Sequence, residues 1–218
     1  MRNAALGWSV LFLLSSFSSP AAGAPSSWRI VPGSRLGAVT ARSTFGDLVR
    51  LYGRSNLVRK TLVSRKGENV LGVVLFPKNP EKRVEIAWSD SRNSRYPAWA
   101  RLRGQSGSWK TPGGLTLGTR LTELEKMNGR AFSLWGFDWG EGGMVRSWNG
   151  GNLADELKGR VAVGLQPANH ANLKADEYRS VVGRRVLPSG DPILRGLDPR
   201  VTEITLFFHQ EGLGVSSR

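Results

Sequence analysis

The segment from Gly113 to Gly151 limits the possible folds more than any other part of the chain. It contains apolar residues at helical spacing, which are Leu121, Leu124 and Met127. Asn128 and Gly129 follow, and glycine ends helices because it adopts the left-handed conformation at no side-chain cost. Two aromatic, strand-like runs come next, joined by a glycine-containing turn. A short helix followed by antiparallel strands is therefore predicted here.

A second copy of this arrangement lies earlier in the chain. The matched residues, each pair 76 positions apart, are Leu48 with Leu124, Leu51 with Met127 and Gly53 with Gly129. Ser43 or Thr44 can cap the earlier helix through its hydroxyl group. We therefore predict equivalent helices over residues 43–53 and 119–129, each followed by antiparallel strands.

Much of the remaining chain alternates apolar and polar residues with a period of two, which predicts strands. The predicted strands cover residues 58–63, 70–76, 83–88, 98–103, 131–137, 144–148, 160–165 and 201–208. An ordered arm or coil is expected over residues 25–37, a loop over 89–96, a helical turn over 153–157 and a short strand within 178–186. Residues 131–137 carry apolar side chains on both faces, which indicates a central strand.

These patterns predict an α+β fold with two related halves, residues 25–110 and residues 111–218. Each half is expected to be a short helix, or a helical pair, packed on an antiparallel β-sheet. With 39% hydrophobic residues, the chain can bury a core as one compact unit.

The first 24 residues differ in composition from the rest. Arg2 is followed by an apolar run from Ala4 to Phe17 and by the small residues Ala22, Gly23 and Ala24. This pattern is typical of a secretory signal peptide with cleavage after Ala24. The alternative is a membrane anchor, but the apolar run is shorter than the roughly 20 residues that span a bilayer. We therefore expect a soluble mature protein, periplasmic or secreted.

The chain has 31 Lys and Arg residues against 17 Asp and Glu residues, a formal net charge of +14. Such a charge attracts anionic partners over long range. In a cell envelope these are lipopolysaccharide, teichoic acids, acidic lipids and acidic proteins, and nucleic acid is not an expected partner. The alternative is a diffuse positive surface, because no run of five or more like charges occurs. The absence of cysteine excludes disulfides, thiolate nucleophiles and cysteine-based metal sites.

The sequence lacks the common motifs of catalysis and metal binding. It has no G-x-S-x-G elbow, no phosphate-binding loop and no H-E-x-x-H pair, and His170 and His209 lie in unrelated contexts. We therefore expect no cofactor, no metal site and a non-enzymatic role. The alternative is a cell-wall carbohydrate hydrolase using Asp138 and Glu141, which flank Trp139. Such an enzyme needs its two carboxyl groups about 5 to 9.5 Å apart in one cleft.

Tryptophan is concentrated on the predicted hairpin, where Trp135, Trp139 and Trp148 lie with Arg146. An exposed indole stacks on sugar rings, and a guanidinium pairs with phosphate or carboxylate. The alternative is that most tryptophans fill the core, and Trp139 is then the best candidate for exposure because it lies in the turn. The candidate ligand-binding residues are therefore Arg130, Trp139 and Arg146, for an envelope protein or an anionic envelope polymer or lipid.

A family resemblance rests on the second helix and its flanks, at Leu115, Gly118, Thr119, Leu124, Met127 and Gly129. These residues resemble the I-x-x-G-(M)-T-x-x-E-V-x-x-L-L-G-x-P signature of the SmpA/OmlA outer-membrane assembly lipoproteins and of the related β-lactamase-inhibitor-like modules. The chain departs from it where Thr119 lies one place early, Ala131 replaces proline and Arg42 replaces the first glycine of the earlier copy; it also lacks the lipobox cysteine. The resemblance implies a helical pair packed on an antiparallel sheet, often in tandem, and favours a binding or assembly role.

Overall fold

The computed structural model of the protein describes residues 28–168 and 174–209. Within these residues the chain is α+β, with helices packed on antiparallel sheets, so the predicted fold class is confirmed. The predicted signal peptide with its cleavage point, and also His170, lie outside the described residues. No helix in the described part of the chain is long and apolar enough to span a membrane.

Twelve strands and five α-helices are found in the described residues. The strands are β1 (Ile30–Val31), β2 (Arg35–Leu36), β3 (Val39–Thr40), β4 (Leu57–Val63), β5 (Asn69–Leu75), β6 (Val84–Asp90), β7 (Arg95–Arg103), β8 (Ser133–Trp135), β9 (Val145–Ser147), β10 (Val161–Gln166), β11 (Val186–Pro188) and β12 (Arg200–Phe207). The helices are α1 (Phe45–Tyr52), α2 (Leu121–Asn128), α3 (Asn152–Leu157), α4 (Ala175–Val181) and α5 (Pro192–Gly196), and a 3₁₀ turn covers Arg54–Asn56.

The main sheet has six antiparallel strands in the order β10-β12-β7-β6-β5-β4. β4 to β7 form a meander, and β5 pairs with β6 so that Val73 lies opposite Ile86. The loop predicted over residues 89–96 is wrong at both ends, since β6 continues to Asp90 and β7 begins at Arg95. The polar side chains there mislead the prediction because a few turn residues suffice to join antiparallel strands.

Two three-stranded sheets complete the fold. β1 and β2 lie within residues 25–37, for which the sequence predicts an ordered arm or coil. The sequence does not reveal these strands, because two residues are too few to show a periodicity. β8 lies between β9 and β11, so the central position predicted for residues 131–137 is confirmed, over a shorter strand. The strand expected within residues 178–186 is wrong over most of that range, which holds the end of α4 and the turn before Val186.

Helices α1 and α2 lie where the sequence predicts them. The Thr44 hydroxyl accepts a hydrogen bond from Asp47 N at 3.1 Å, and Thr44 N donates to the Asp47 carboxylate at 2.8 Å. This reciprocal pair satisfies two backbone donors at the start of α1. Gly53 and Gly129 end the two helices with φ angles of 81° and 74°. Their ψ angles are 143° and 0°, so only Gly129 has the left-handed helical conformation.

Substitutions at the two glycines are expected to differ. Gly129→Val should cost on the order of 1 kcal/mol, whereas Gly129→Asn should cost little, because asparagine tolerates the left-handed conformation and a β-branched residue does not. Gly53→Asn should cost about 1 to 3 kcal/mol, because its φ and ψ lie close to a region that only glycine occupies. Urea denaturation of the three variants measures these losses. An equal loss for the two asparagine variants would contradict the expectation.

The two faces of the main sheet have different surroundings. One face packs against the helices, and its buried residues include Val73, Ile86, Ala100, Val163 and Ile204. The other face carries a small apolar cluster of Leu62, Val74 and Ala87 with Val70 and Trp99. On that face the Arg101 guanidinium donates to Val63 O at 2.8 Å, although β5 and β6 separate β7 from β4 in the sheet. The sheet is therefore curled towards this second face, which we call the concave face.

The strands that follow the two matched helices belong to different sheets. β4 to β7, after α1, form most of the main sheet, whereas β8 and β9, after α2, lie in a separate sheet of short strands. The main sheet also takes β10 and β12 from residues 111–218. The duplication into related halves, 25–110 and 111–218, stays a prediction.

Candidate functional site

The turn over residues 138–143 connects β8 to β9 and carries Trp139. Leu165 N donates to Gly143 O at 2.9 Å, which holds the turn against β10. Gly143 has a φ of 77°, and a Cβ at this position would collide with the carbonyl oxygen of Leu165. Gly142 N donates to Trp139 O at 2.8 Å and closes the turn. Glycine therefore fixes Trp139 at an edge of the main sheet.

Trp139 packs edge to face on Trp135, with ring centres 5.6 Å apart. Its indole N–H donates to Gly136 O at 2.8 Å, which orients the ring. Arg184 Cζ lies 5.2 Å from the centre of the Trp139 ring, and Arg146 Cζ lies 5.5 Å from that of Trp135. Both indoles are half-buried and both arginines are exposed. We call Arg146, Trp135, Trp139 and Arg184 the arginine–tryptophan strip.

The charges of Arg146 and Arg184 are uncompensated by the described residues, with which neither arginine forms an ion pair. A guanidinium stacked on an indole at an exposed site gains about 0.5 to 1 kcal/mol from the cation–π interaction. Its N–H donors stay available for bidentate pairing with a phosphate or carboxylate. The strip can therefore hold an anionic group beside either indole.

Arg130, the third residue predicted for the site, makes a different contact. Its guanidinium donates to Asn149 O at 3.1 Å, at the end of the hairpin away from the turn. The structure thus brings Trp139 and Arg146 together through Trp135, and gives Arg130 a backbone partner instead.

Arg184 was not predicted as a site residue. It lies 45 positions after Trp139, beyond α4, and a parallel bridge between Phe137 and Val182 brings the two segments together. A local sequence pattern cannot predict such a bridge, because the bridge forms only when the segment between α4 and β11 lies beside β8. A pair of arginines after Gly183 is the only signal that the sequence offers.

Beside the strip lies a cleft of about 440 Å³ between the turn, the end of β4 and strands β10 and β12. Its polar lining includes Ser64, Arg65, Arg103, Gln166 and Glu203, and Trp139 forms part of its wall. Arg103 Nε donates to Glu203 Oε2 at 2.8 Å, so that cation is already paired. The cleft offers hydrogen-bond donors and acceptors next to an indole, which suits sugar hydroxyl groups and a sugar ring face.

The two carboxylates of the hydrolase alternative contact different groups. The Tyr178 hydroxyl donates to Asp138 Oδ2, and this hydrogen bond raises the pKa of Tyr178 to about 12. Glu141 is 49% exposed and lies 3.8 Å from the Arg65 guanidinium. Neither contact brings the two carboxylates to opposite sides of one position that a glycosidic bond could occupy. The hydrolase alternative stays a prediction without a shared cleft to support it.

Other tryptophans belong to the core, as the alternative interpretation of this residue type expected. Trp88 and Trp109 are buried, and the Trp109 indole N–H donates to Lys82 O at 3.0 Å. Trp148 packs on Phe132 with ring centres 5.1 Å apart. Trp135 and Trp139 differ from these because their neighbours include exposed arginines.

No protein-family model, no curated protein and no solved structure matches this chain. The resemblance to the SmpA/OmlA lipoproteins stays a prediction.

Proposed function

We propose that this chain is an exported, non-enzymatic binding protein for an acidic glycan of the cell envelope. The arginine–tryptophan strip at the edge of the polar cleft is the observation that supports this function. The indoles would cover apolar faces of sugar rings, and Arg146 and Arg184 would pair with phosphate or carboxylate groups. The net charge of +14 would add long-range attraction to the polymer.

The cleft gives the polymer a second, uncharged mode of contact. Arg103 is paired with Glu203, and Arg65 lies near Glu141, so the lining is close to neutral. Polar groups of this kind recognise hydroxyl groups, while the uncompensated charges lie outside, on the strip. An acidic sugar would therefore place its ring at Trp139 and its anionic group towards Arg184. The resemblance to envelope assembly lipoproteins also favours a binding role over catalysis.

Binding to lipopolysaccharide and to peptidoglycan fragments tests this function. Trp139→Ala, Arg146→Ala and Arg184→Ala are each expected to weaken binding by about tenfold, the effect of losing one charge-assisted bond or one stacked ring. Arg130→Ala removes the same charge as the other arginine variants but leaves the strip intact. It is expected to change the affinity by less than about threefold.

Salt dependence separates the two parts of the interaction. At physiological salt the Debye length is about 8 Å, so affinity should fall as salt rises because the arginine contribution is screened. The difference between wild type and Trp139→Ala should persist at high salt, because stacking is not screened. Equal binding by all four variants and the wild type would exclude the strip as the binding surface.

A further inference from the structure

Strand β4 forms one edge of the main sheet, and its outer side has no strand partner within residues 28–168 and 174–209. Its ladder with β5 is regular, with Val58 opposite Val74 and Leu62 opposite Val70. Just beyond the two ends of the ladder, Phe76 N donates to Asn56 O and Ser64 N donates to Glu68 O, each at 2.8 Å.

Those two hydrogen bonds determine which backbone groups of β4 point away from the sheet. Opposed residues in an antiparallel ladder alternate between hydrogen-bonded and non-hydrogen-bonded pairs. Because residues 56 and 64 are hydrogen-bonded to their partners, residues 58, 60 and 62 are also bonded to β5. The N–H and C=O groups of residues 57, 59, 61 and 63 therefore point outwards.

Arginine side chains close both ends of this outer edge. Leu57 N donates to Arg54 O, and Leu57 O accepts a hydrogen bond from the Arg54 guanidinium at 2.8 Å. At the other end, Val63 O accepts from the Arg101 guanidinium at 2.8 Å. The outward groups that lack a partner among the described residues are the N–H and C=O of Arg59 and Thr61 and the N–H of Val63.

The side chains beside this open segment are basic and apolar. Arg59 and Lys60 are exposed, and neither forms an ion pair with a described residue. Arg59 Cζ lies 4.3 Å from the centre of the Phe45 ring, and this cation–π contact favours that position of the side chain. Val58 and Val63, on the same strand, are 47% and 51% exposed.

We propose that the outer edge of β4 binds an extended acidic segment of a partner protein, which would pair with residues 59–63 as an additional strand of the main sheet. Backbone hydrogen bonds to Arg59 and Thr61 would provide the register, and acidic side chains opposite Arg59 and Lys60 would provide the selectivity. Residues 59–63 include no residue of the arginine–tryptophan strip, and the inference does not depend on the acidic-glycan function.

Charge distinguishes an acidic segment from a second copy of the same strand. Antiparallel pairing of β4 with itself, when centred on Arg59 or on Lys60, would bring that residue against its own copy, and like charges on opposed strands are destabilising. An acidic partner turns the same two residues into favourable cross-strand pairs.

Thr61→Pro tests the inference with little disturbance to the fold. The Thr61 N–H points outwards and is not used in the ladder, so proline there removes one docking donor and remains compatible with an edge strand. Thr61→Val is the matched control, because it keeps the N–H and suits a strand. Circular dichroism and urea denaturation check that both variants remain folded. Arg59→Glu with Lys60→Glu forms a second test that leaves every backbone donor in place.

The probe is a ten-residue peptide of valine and threonine with two adjacent glutamates at its centre, because adjacent residues of a strand face opposite sides of the sheet, as Arg59 and Lys60 do. Its charge-reversed counterpart carries two lysines in place of the glutamates. The mature wild type and Thr61→Val are expected to bind the acidic peptide, whereas Thr61→Pro and the double glutamate variant should bind it at least tenfold more weakly. Hydrogen exchange should show the amides of Arg59, Thr61 and Val63 unprotected in the free protein and protected in the complex.

Three outcomes would overturn the inference. The first is undiminished binding of the acidic peptide by Thr61→Pro. The second is a dimer of the free wild type that Thr61→Pro dissociates, which would make a second copy the occupant of the edge. The third is a wild type that binds vesicles containing anionic lipid but does not bind the acidic peptide. If Val63→Ser then loses vesicle binding and Thr61→Pro keeps it, the edge contacts a lipid surface instead of a peptide strand.

Discussion

Replacing Asn128 by leucine is expected to lower the free energy of unfolding by about 3 kcal/mol, because one buried and two partly buried hydrogen bonds to the backbone would be lost at roughly 1 kcal/mol each. Asn128 is the last residue of α2 and only 1% exposed. Its amide nitrogen donates to Arg130 O at 3.0 Å and to Trp148 O at 2.9 Å, and its carbonyl oxygen accepts from Leu153 N at 3.2 Å. One side chain thus joins α2, the end of the hairpin and α3.

Urea denaturation measures this loss, and Asn152→Ala provides the control. Asn152 lies on α3, is exposed and makes one amide hydrogen bond, to Met127 O at 3.3 Å. Its replacement is expected to cost less than about 1 kcal/mol, the usual effect of one hydrogen bond at the surface. If both variants lose the same stability, the Asn128 amide does not hold the three elements together.

Asn128 also shows what local sequence patterns can and cannot report. Its position before Gly129, after apolar residues at helical spacing, correctly indicated the end of a helix. Its hydrogen-bond partners Trp148 and Leu153 lie 20 and 25 positions further along the chain. A helix stop depends on the local backbone conformation, so a pattern reveals it. A long-range amide contact depends on the assembled fold, so no spacing predicts it.

The strands of the main sheet were predictable for the same reason. β4 to β7, β10 and β12 are each six to nine residues long, which is long enough for a strand pattern to appear in the sequence. Their order and the curl of the sheet were not predictable. The contact from Arg101 to Val63 O, across two intervening strands, depends on both.

The candidate site divides in the same way. Trp135, Trp139 and Arg146 lie on one hairpin, so the sequence places them near one another. Arg184 reaches Trp139 only because the segment after α4 returns alongside β8, and Arg130 turns to Asn149 at the far end of the hairpin. The local part of the site could therefore be predicted, and its second arginine could not.

Replacing Arg101 by methionine is expected to cost about 3 to 5 kcal/mol, the usual effect of removing one partner from a buried ion pair. Arg101 is 2% exposed, and Nε and Nη2 of its guanidinium donate to Glu85 Oε2 at 3.1 and 2.8 Å. Without Arg101, the Glu85 carboxylate would stay largely buried, and Arg83, at 3.2 Å, would be its remaining hydrogen-bond donor. Val63 O would also lose its donor.

A second substitution is expected to restore most of this loss. When Glu85→Leu accompanies Arg101→Met, no unpaired charge remains buried, and apolar replacements of buried ion pairs are often neutral or stabilising. The free energy of unfolding of the double variant should therefore lie within about 2 kcal/mol of the wild-type value. The remaining loss comes from the Val63 carbonyl, which has no hydrogen-bond donor in the double variant. Free energies of unfolding of the two single variants and the double variant give the coupling between the residues. A double variant that loses the sum of the single losses would contradict an ion-pair explanation.

The same pair gives the stability a dependence on pH. Burial of the Glu85 carboxyl group acts to raise its pKa, but hydrogen bonds from Arg101 and Arg83, with the charges of Arg101 and Arg103, outweigh burial and lower the pKa below its ordinary value of 4.5. A carboxyl group whose pKa is lowered by folding stabilises the protein above its unfolded pKa, and that stabilisation is lost as pH falls through the folded pKa. Between neutral pH and pH 5 the contribution of Glu85 should be constant. Below about pH 4.5 the wild type should lose stability more steeply than Glu85→Gln, which carries no titrating group at this position. Parallel acid-side curves for the two proteins would show that the Glu85 carboxylate is not stabilised by folding.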